Sequence, residues 1–199
     1  LTVGVEIPKK VLGTVPVEPN GDRRLELERP ERIFLYTVHD GDLLPRPFVK
    51  RSIDEVALRH RFIRMRDWGA NLVAENLAAA LGNRGYARAT LSRVLLDFNR
   101  FPGTTSRHAT GPLDHLAIGR PFDEALTHAE KMELLTIYDQ MSDAIEERVE
   151  GSFINIGIHT YDAHNESATK RPHVSLISTP QAYLRLSRMP DGLFDPIYP

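Results

Sequence analysis

A histidine and an aspartate stand three residues apart in the segment His39-Asp40-Gly41-Asp42. Across a glycine-containing turn, that spacing can place an imidazole nitrogen and a carboxylate oxygen on one metal ion. A second histidine, His159, closes the apolar run Phe153–His159 and is followed by Thr160 and Tyr161. Two neutral imidazoles and one carboxylate leave a coordination position open for water, as catalytic zinc requires. His164, five residues beyond His159, is a rival ligand but lies past the strand end. Each residue also has a plainer reading. A strand-end histidine is commonly hydrogen-bonded structure, and Asp42 is an ordinary turn former. The remaining histidines (His60, His108, His115, His128 and His173) show no ligand spacing, and no His-Glu-x-x-His motif occurs.

A third polar cluster lies in Ser92–Arg100, SRVLLDFNR. Asn99 and Arg100 suit a substrate carboxylate, because a guanidinium makes paired, charge-assisted bonds to one. Arg93 is a further candidate for substrate contact, although an ordinary surface Arg–Asp pair explains it equally well. Asp97 or Asp67 can orient one of these arginines.

The elements around these clusters alternate. Ile33–His39 reads as a buried strand, enriched in β-favouring residues and ended by the turn. Ser52 with Glu55 forms a capping-box pattern for a helix to about Met65. Asp67 is placed to cap a second helix with an apolar stripe of Leu72, Val73, Leu77, Ala80 and Leu81, ended by Gly82 or Gly85. Tyr86–Leu96 reads as a second strand and Phe122–Val149 as one long helix, with Leu134, Ile137, Met141 and Ile145 on a common face. Phe153–His159 is a third strand and His173–Ser178 a fourth, whereas residues 1–30 read as an extended arm with an edge strand at its start.

This order predicts a three-layer α/β domain over residues 31–199 with a central mixed, largely parallel sheet. The polar clusters each follow an apolar strand. Ligands of open α/β sheets bind outside the carboxyl ends of the strands, so the clusters should converge.

Composition narrows the partners. The chain of 199 residues carries 25 basic and 27 acidic residues, which leaves no broad basic field for nucleic acid. There is no cysteine, so disulfides, thiolate metal sites and a cysteine nucleophile are excluded, and a cytoplasmic location is expected. No stretch approaches the ~18 apolar residues of a membrane span. The chain starts at Leu1 and stops in a Pro-rich stretch, so neither end is taken as a natural terminus.

The motifs HDGDLLP, RDW, LSRVLLDFNR, a strand ending in His-Thr, and RPHVSLIST occur in this order from Ile33 to Thr179. Together they resemble the N-formylglutamate amidohydrolase family, whose fold is similar to that of the zinc carboxypeptidases. The resemblance implies zinc held by His39, Asp42 and His159, and a carboxylate bound by Asn99 and Arg100, with Arg171 as a further substrate contact. It implies hydrolysis of N-formyl-L-glutamate to formate and glutamate, a step of histidine degradation. It also implies a late glutamate base. Only Glu166 follows His159, too near the strand end to match, so the base lies beyond Pro199 or base capacity is impaired. Two alternatives remain, a zinc hydrolase of another N-acyl amino acid or peptide and a non-catalytic ligand-binding homologue.

Overall fold

A computed structural model describes residues 1–18, 29–100, 102 and 117–161. Leu1–Thr160 forms the first of the two units into which the chain divides, and it is compact. In the first, the strands are β1 (Thr2–Val5), β2 (Leu12–Pro16), β3 (Ile33–Thr37), β4 (Leu43–Pro45), β5 (Gly85–Ala89) and β6 (Ile154–Gly157). The helices are α1 (Glu55–Met65), α2 (Ala70–Leu81), α3 (Phe122–Ala125) and α4 (His128–Glu150).

The fold is mixed α/β. Its main sheet has the order β2-β5-β3-β6, in which β3 pairs parallel with both β5 and β6. β2 runs antiparallel to β5, matching Leu12 to Ala89 and Pro16 to Gly85. The arm is therefore part of two sheets, since β1 also pairs parallel with β4. The strand foreseen at His173–Ser178 lies outside the described residues.

Side chains alternate across the sheet, as the two-residue strand period dictates. Leu35 and Tyr86 join Ala70, Ala74, Ala78 and Leu81 of α2 in one core. Ala87 and Ala89 join Leu58 and Phe62 of α1, and Leu134, Leu135, Ile137 and Met141 of α4, in the other. Helices thus cover both faces. Burying each large apolar side chain contributes about 1.5–3 kcal/mol, so these two cores account for most of the favourable energy.

Four local departures from the sequence expectation have physical causes. Helix α2 turns its alanines to the sheet, while Leu72 and Val73 stay exposed. Small side chains let the helix backbone approach closely, a preference that hydrophobicity does not register. Asp54, not Ser52, caps α1 by accepting from the Val56 and Ala57 amides at 2.8 and 3.3 Å. The long helix is two, because Thr127 is extended and opens α4 with a reciprocal Thr127–Glu130 capping box. Finally, β5 ends at Ala89; Leu91 and Leu96 beyond it form isolated bridges, Val94 and Leu95 lie in the turn between them, and all four are fully buried.

This stretch receives the segment after β3. A Cβ on Gly41 would overlap the Leu91 carbonyl oxygen and lie 2.8 Å from that of Ala89. Only glycine permits this approach. The Leu43 amide donates to Thr90 and the Ser92 amide to Leu43, at 3.1 and 2.9 Å. The carboxyl end of β3 is thereby stapled to the start of the Ser92–Arg100 segment. Among the described residues, no helix is long and apolar enough to cross a membrane.

Candidate metal centre

Four chain segments meet here: the carboxyl ends of β3 and β6, the α1–α2 turn and the Ser92–Arg100 segment. The Ile158 amide donates to the Tyr36 carbonyl at 2.9 Å, which extends β6 toward His159 beside the end of β3. The Asp67 amide donates to the His39 carbonyl at 3.2 Å and draws the α1–α2 turn alongside. The Ser92–Arg100 segment supplies Asp97 and Asn99. The His39 and His159 rings stand 4.9 Å apart, inclined by 58°.

His39 is almost wholly buried, with 1% of its surface exposed. Its Nε2 is 2.9 Å from Asp97 Oδ1. An ionised carboxylate accepts only, so Nε2 carries a hydrogen, and in the neutral ring Nδ1 keeps its lone pair. Among the described residues that Nδ1 has no hydrogen-bond partner; it is buried 3.5 Å from Asp67 Oδ2. Asp67 Oδ2 in turn lies 2.7 Å from His159 Nδ1.

Arg93 holds both carboxylates. Its Nε donates to Asp97 Oδ2 at 3.1 Å and its Nη1 to Asp67 Oδ1 at 3.3 Å. Burial alone would raise the Asp67 pKa, but the hydrogen bond from His159 and the proximity of His39 outweigh it and bring the group to about 2. Burial is outweighed in the same way at Asp97, which hydrogen bonding to His39 and the Arg93 charge hold far below the carboxylate range. Burial opposes charge on His39, yet the neighbouring Asp67 carboxylate and the bond to Asp97 leave its pKa raised.

His39, Asp67 and His159 each offer one ligand atom within 4.8 Å of the others. Two imidazoles and a carboxylate match the donor set of catalytic zinc. The partnerless His39 Nδ1 is the observation that tests the fit, since a buried nitrogen with a free lone pair costs energy unless something occupies it. The group can hold a metal ion.

The carboxylate of this group is Asp67, whereas the sequence pattern favoured Asp42. Asp42 sits on the β5 side of the turn, 3.7 Å from the Arg88 guanidinium and a third exposed. Pressed against the backbone at residues 89–91, Gly41 separates it from His39. Arg93 is committed to Asp67, Asp97 and the Met65 carbonyl rather than held open for substrate. Asn99 and Arg100 do border the group. Asn99 Nδ2 is 3.5 Å from His159 Nε2, and Arg100 Nε is 3.7 Å from Asp97 Oδ2 with most of its side chain in solvent. Arg171, His164 and Glu166 lie outside the described residues.

Asp40 also escaped the sequence reading. Its Oδ2 accepts from the Asn71 amide at 3.0 Å and its Oδ1 pairs with Arg66. It therefore caps α2, whose own cap position is Gly69 with no side chain. The Arg66 guanidinium lies over Trp68 and Phe62, 4.6 and 5.4 Å from the ring centroids. The α1–α2 turn carrying Asp67 is thus tied to the His39 turn at two points.

No protein-family model matches the chain, and no curated protein matches it. Among solved structures, the crystal structure of gene product Atu2144 from Agrobacterium tumefaciens is similar at 20% identity and a TM-score of 0.47. The likeness covers 77% of this chain and 57% of that one, so the chain spans less than two thirds of the neighbour's length.

Proposed function

We propose that this chain is the metal-binding part of a zinc-dependent amidohydrolase with a carboxypeptidase-like fold. Its substrate would be a small N-acylated acidic amino acid, N-formyl-L-glutamate by default. The observation that carries the reading is the buried His39 Nδ1, left without a partner among the described residues and facing Asp67. The ordered motif resemblance and the exposed Arg100 beside the group support it further.

Each residue then has a task. Asp97 fixes the His39 tautomer, and Arg93 holds Asp67 so that Oδ2 faces the histidines. Zinc, when bound, supplies Lewis acidity toward the amide carbonyl and toward water. Asn99 and Arg100 grip a substrate carboxylate and orient the scissile amide. Water adds across the C–N bond, its oxygen to the formyl carbon and a proton to the departing nitrogen, giving formate and glutamate. No described residue is assigned as the proton carrier.

Metal content and formate release, measured on wild type and His159→Ala, test this reading. About one zinc per chain, lost together with activity in the variant, is the expected outcome. A wild type that takes up no zinc when it is supplied refutes it. Zinc without turnover on any N-acyl amino acid favours a ligand-binding homologue.

A further inference from the structure

Helix α4 reaches the Asn99–Arg100 pair through Tyr138. The Tyr138 hydroxyl lies 3.1 Å from the Arg100 carbonyl oxygen and 3.4 Å from that of Phe98. One phenolic hydrogen serves one acceptor well, so the shorter contact to Arg100 dominates. The Tyr138 ring packs against Phe98 with centroids 5.7 Å apart.

This latch complements the one at the other end of the segment. The Asn99 amide donates to Asp97 Oδ1 at 3.0 Å, and the Arg100 amide to the Asp97 carbonyl at 3.1 Å. Asp97 thus ties the segment to His39, and Tyr138 ties it to α4. The helix is a firm anchor: it spans 23 residues, has a capping box, and buries Leu134, Leu135, Ile137 and Met141. The Arg100 side chain is 65% exposed, with its Nε 3.7 Å from Asp97 Oδ2. Burial pushes the Tyr138 phenol above its ordinary value, so the hydroxyl keeps its hydrogen at neutral pH.

We propose that Tyr138 is a positioning residue that fixes the Asn99–Arg100 grip and thereby sets the preference for anionic ligands. The inference rests on the reading that this pair binds a carboxylate. Holding the backbone on both sides of Asn99 lowers the ordering cost of binding, which is where preorganisation gains affinity.

The test is calorimetric titration of glutarate, a dicarboxylate that cannot be hydrolysed, into the zinc-loaded full chain. Tyr138→Phe keeps the ring packing and removes one hydrogen bond. It should weaken glutarate about 3–10-fold while leaving zinc affinity unchanged. In an Arg100→Ala background the same change should have almost no further effect, an outcome that a merely structural tyrosine would not give. Glutarate bound equally by wild type and Tyr138→Phe overturns the proposal. So does an equal loss in both backgrounds, or a wild type that does not bind glutarate. Glutarate binding without formate release from N-formylglutamate would instead sink the hydrolase reading and leave the latch standing.

Discussion

Replacing Asp97 with asparagine removes one charge and one acceptor while keeping the side-chain shape, and the surroundings leave the amide no good orientation. Oδ1 accepts from His39 Nε2 at 2.9 Å and from the Asn99 amide at 3.0 Å, and Oδ2 accepts from Arg93 Nε at 3.1 Å. If the amide oxygen stays toward His39, its NH2 faces the Arg93 donor. If the amide flips, its NH2 faces His39 Nε2 and selects the tautomer with hydrogen on Nδ1, the nitrogen needed for metal. Both arrangements lose a charge-assisted bond of about 1.5–3 kcal/mol. Loss of an outer carboxylate from a metal-ligating histidine costs ~10–100-fold in affinity, equivalent to ~1.4–2.7 kcal/mol. The two estimates agree. Zinc competition against a chromophoric chelator measures the affinity, and histidine nitrogen chemical shifts report the tautomer. Asp97→Asn binding zinc within about threefold of wild type, with His39 still protonated on Nε2, would show that this carboxylate does not set the site.

Three further outcomes separate the parts of the argument. Asp67→Asn should lower zinc affinity beyond the ~100-fold limit of outer-carboxylate changes, whereas Asp42→Asn should leave it intact and cost at most ~1 kcal/mol of stability. The opposite ranking would restore Asp42 as the ligand. Gly41→Ala drives a Cβ into two backbone carbonyl oxygens, which cannot rotate away as a side chain would. It should lower unfolding free energy in urea by about 1–3 kcal/mol, and a wild-type midpoint would show that the turn relaxes freely. Glu130 is held at about 2, against an ordinary 4.5, by its pairing with Lys50 and by hydrogen bonds from Thr127. A depressed acid stabilises above its unfolded pKa and loses that contribution as pH falls through its folded one. The melting-temperature gap between wild type and Glu130→Gln should therefore be steady down to about pH 4.5 and close toward pH 2. A gap that ignores pH would assign the effect to capping geometry alone.

What could be read ahead of the structure depended on whether one residue type answered to one role. His39 and His159 stood out because a polar ring that ends an apolar strand of an α/β sheet points to the sheet's binding edge. The alternating elements likewise implied helices on both sides of the sheet, and both faces are covered. Aspartate gave no such guidance. Asp67 precedes a helix, where an aspartate ordinarily caps, but the helix starts at Ala70 after Gly69 in the left-handed region at φ 81°. The Ala70 amide donates to the Asp67 backbone carbonyl, which leaves the carboxylate for the histidines. Asp40, inside what reads as a plain turn, does the capping from across the fold. Two aspartates have in effect exchanged the places their local sequence suggests, because the cap of α2 and the carboxylate that joins His39 and His159 are both supplied across the contact between two turns. Gly41 is the residue that makes the exchange possible. Its lack of a Cβ lets the His39 turn sit against residues 89–91, placing Asp40 over α2 and directing Asp42 to Arg88. The His-x-x-Asp spacing was therefore an accurate sign that a tight turn carries the first histidine. It was a poor guide to the carboxylate, since a turn close-packed on its neighbour sends successive side chains to different partners.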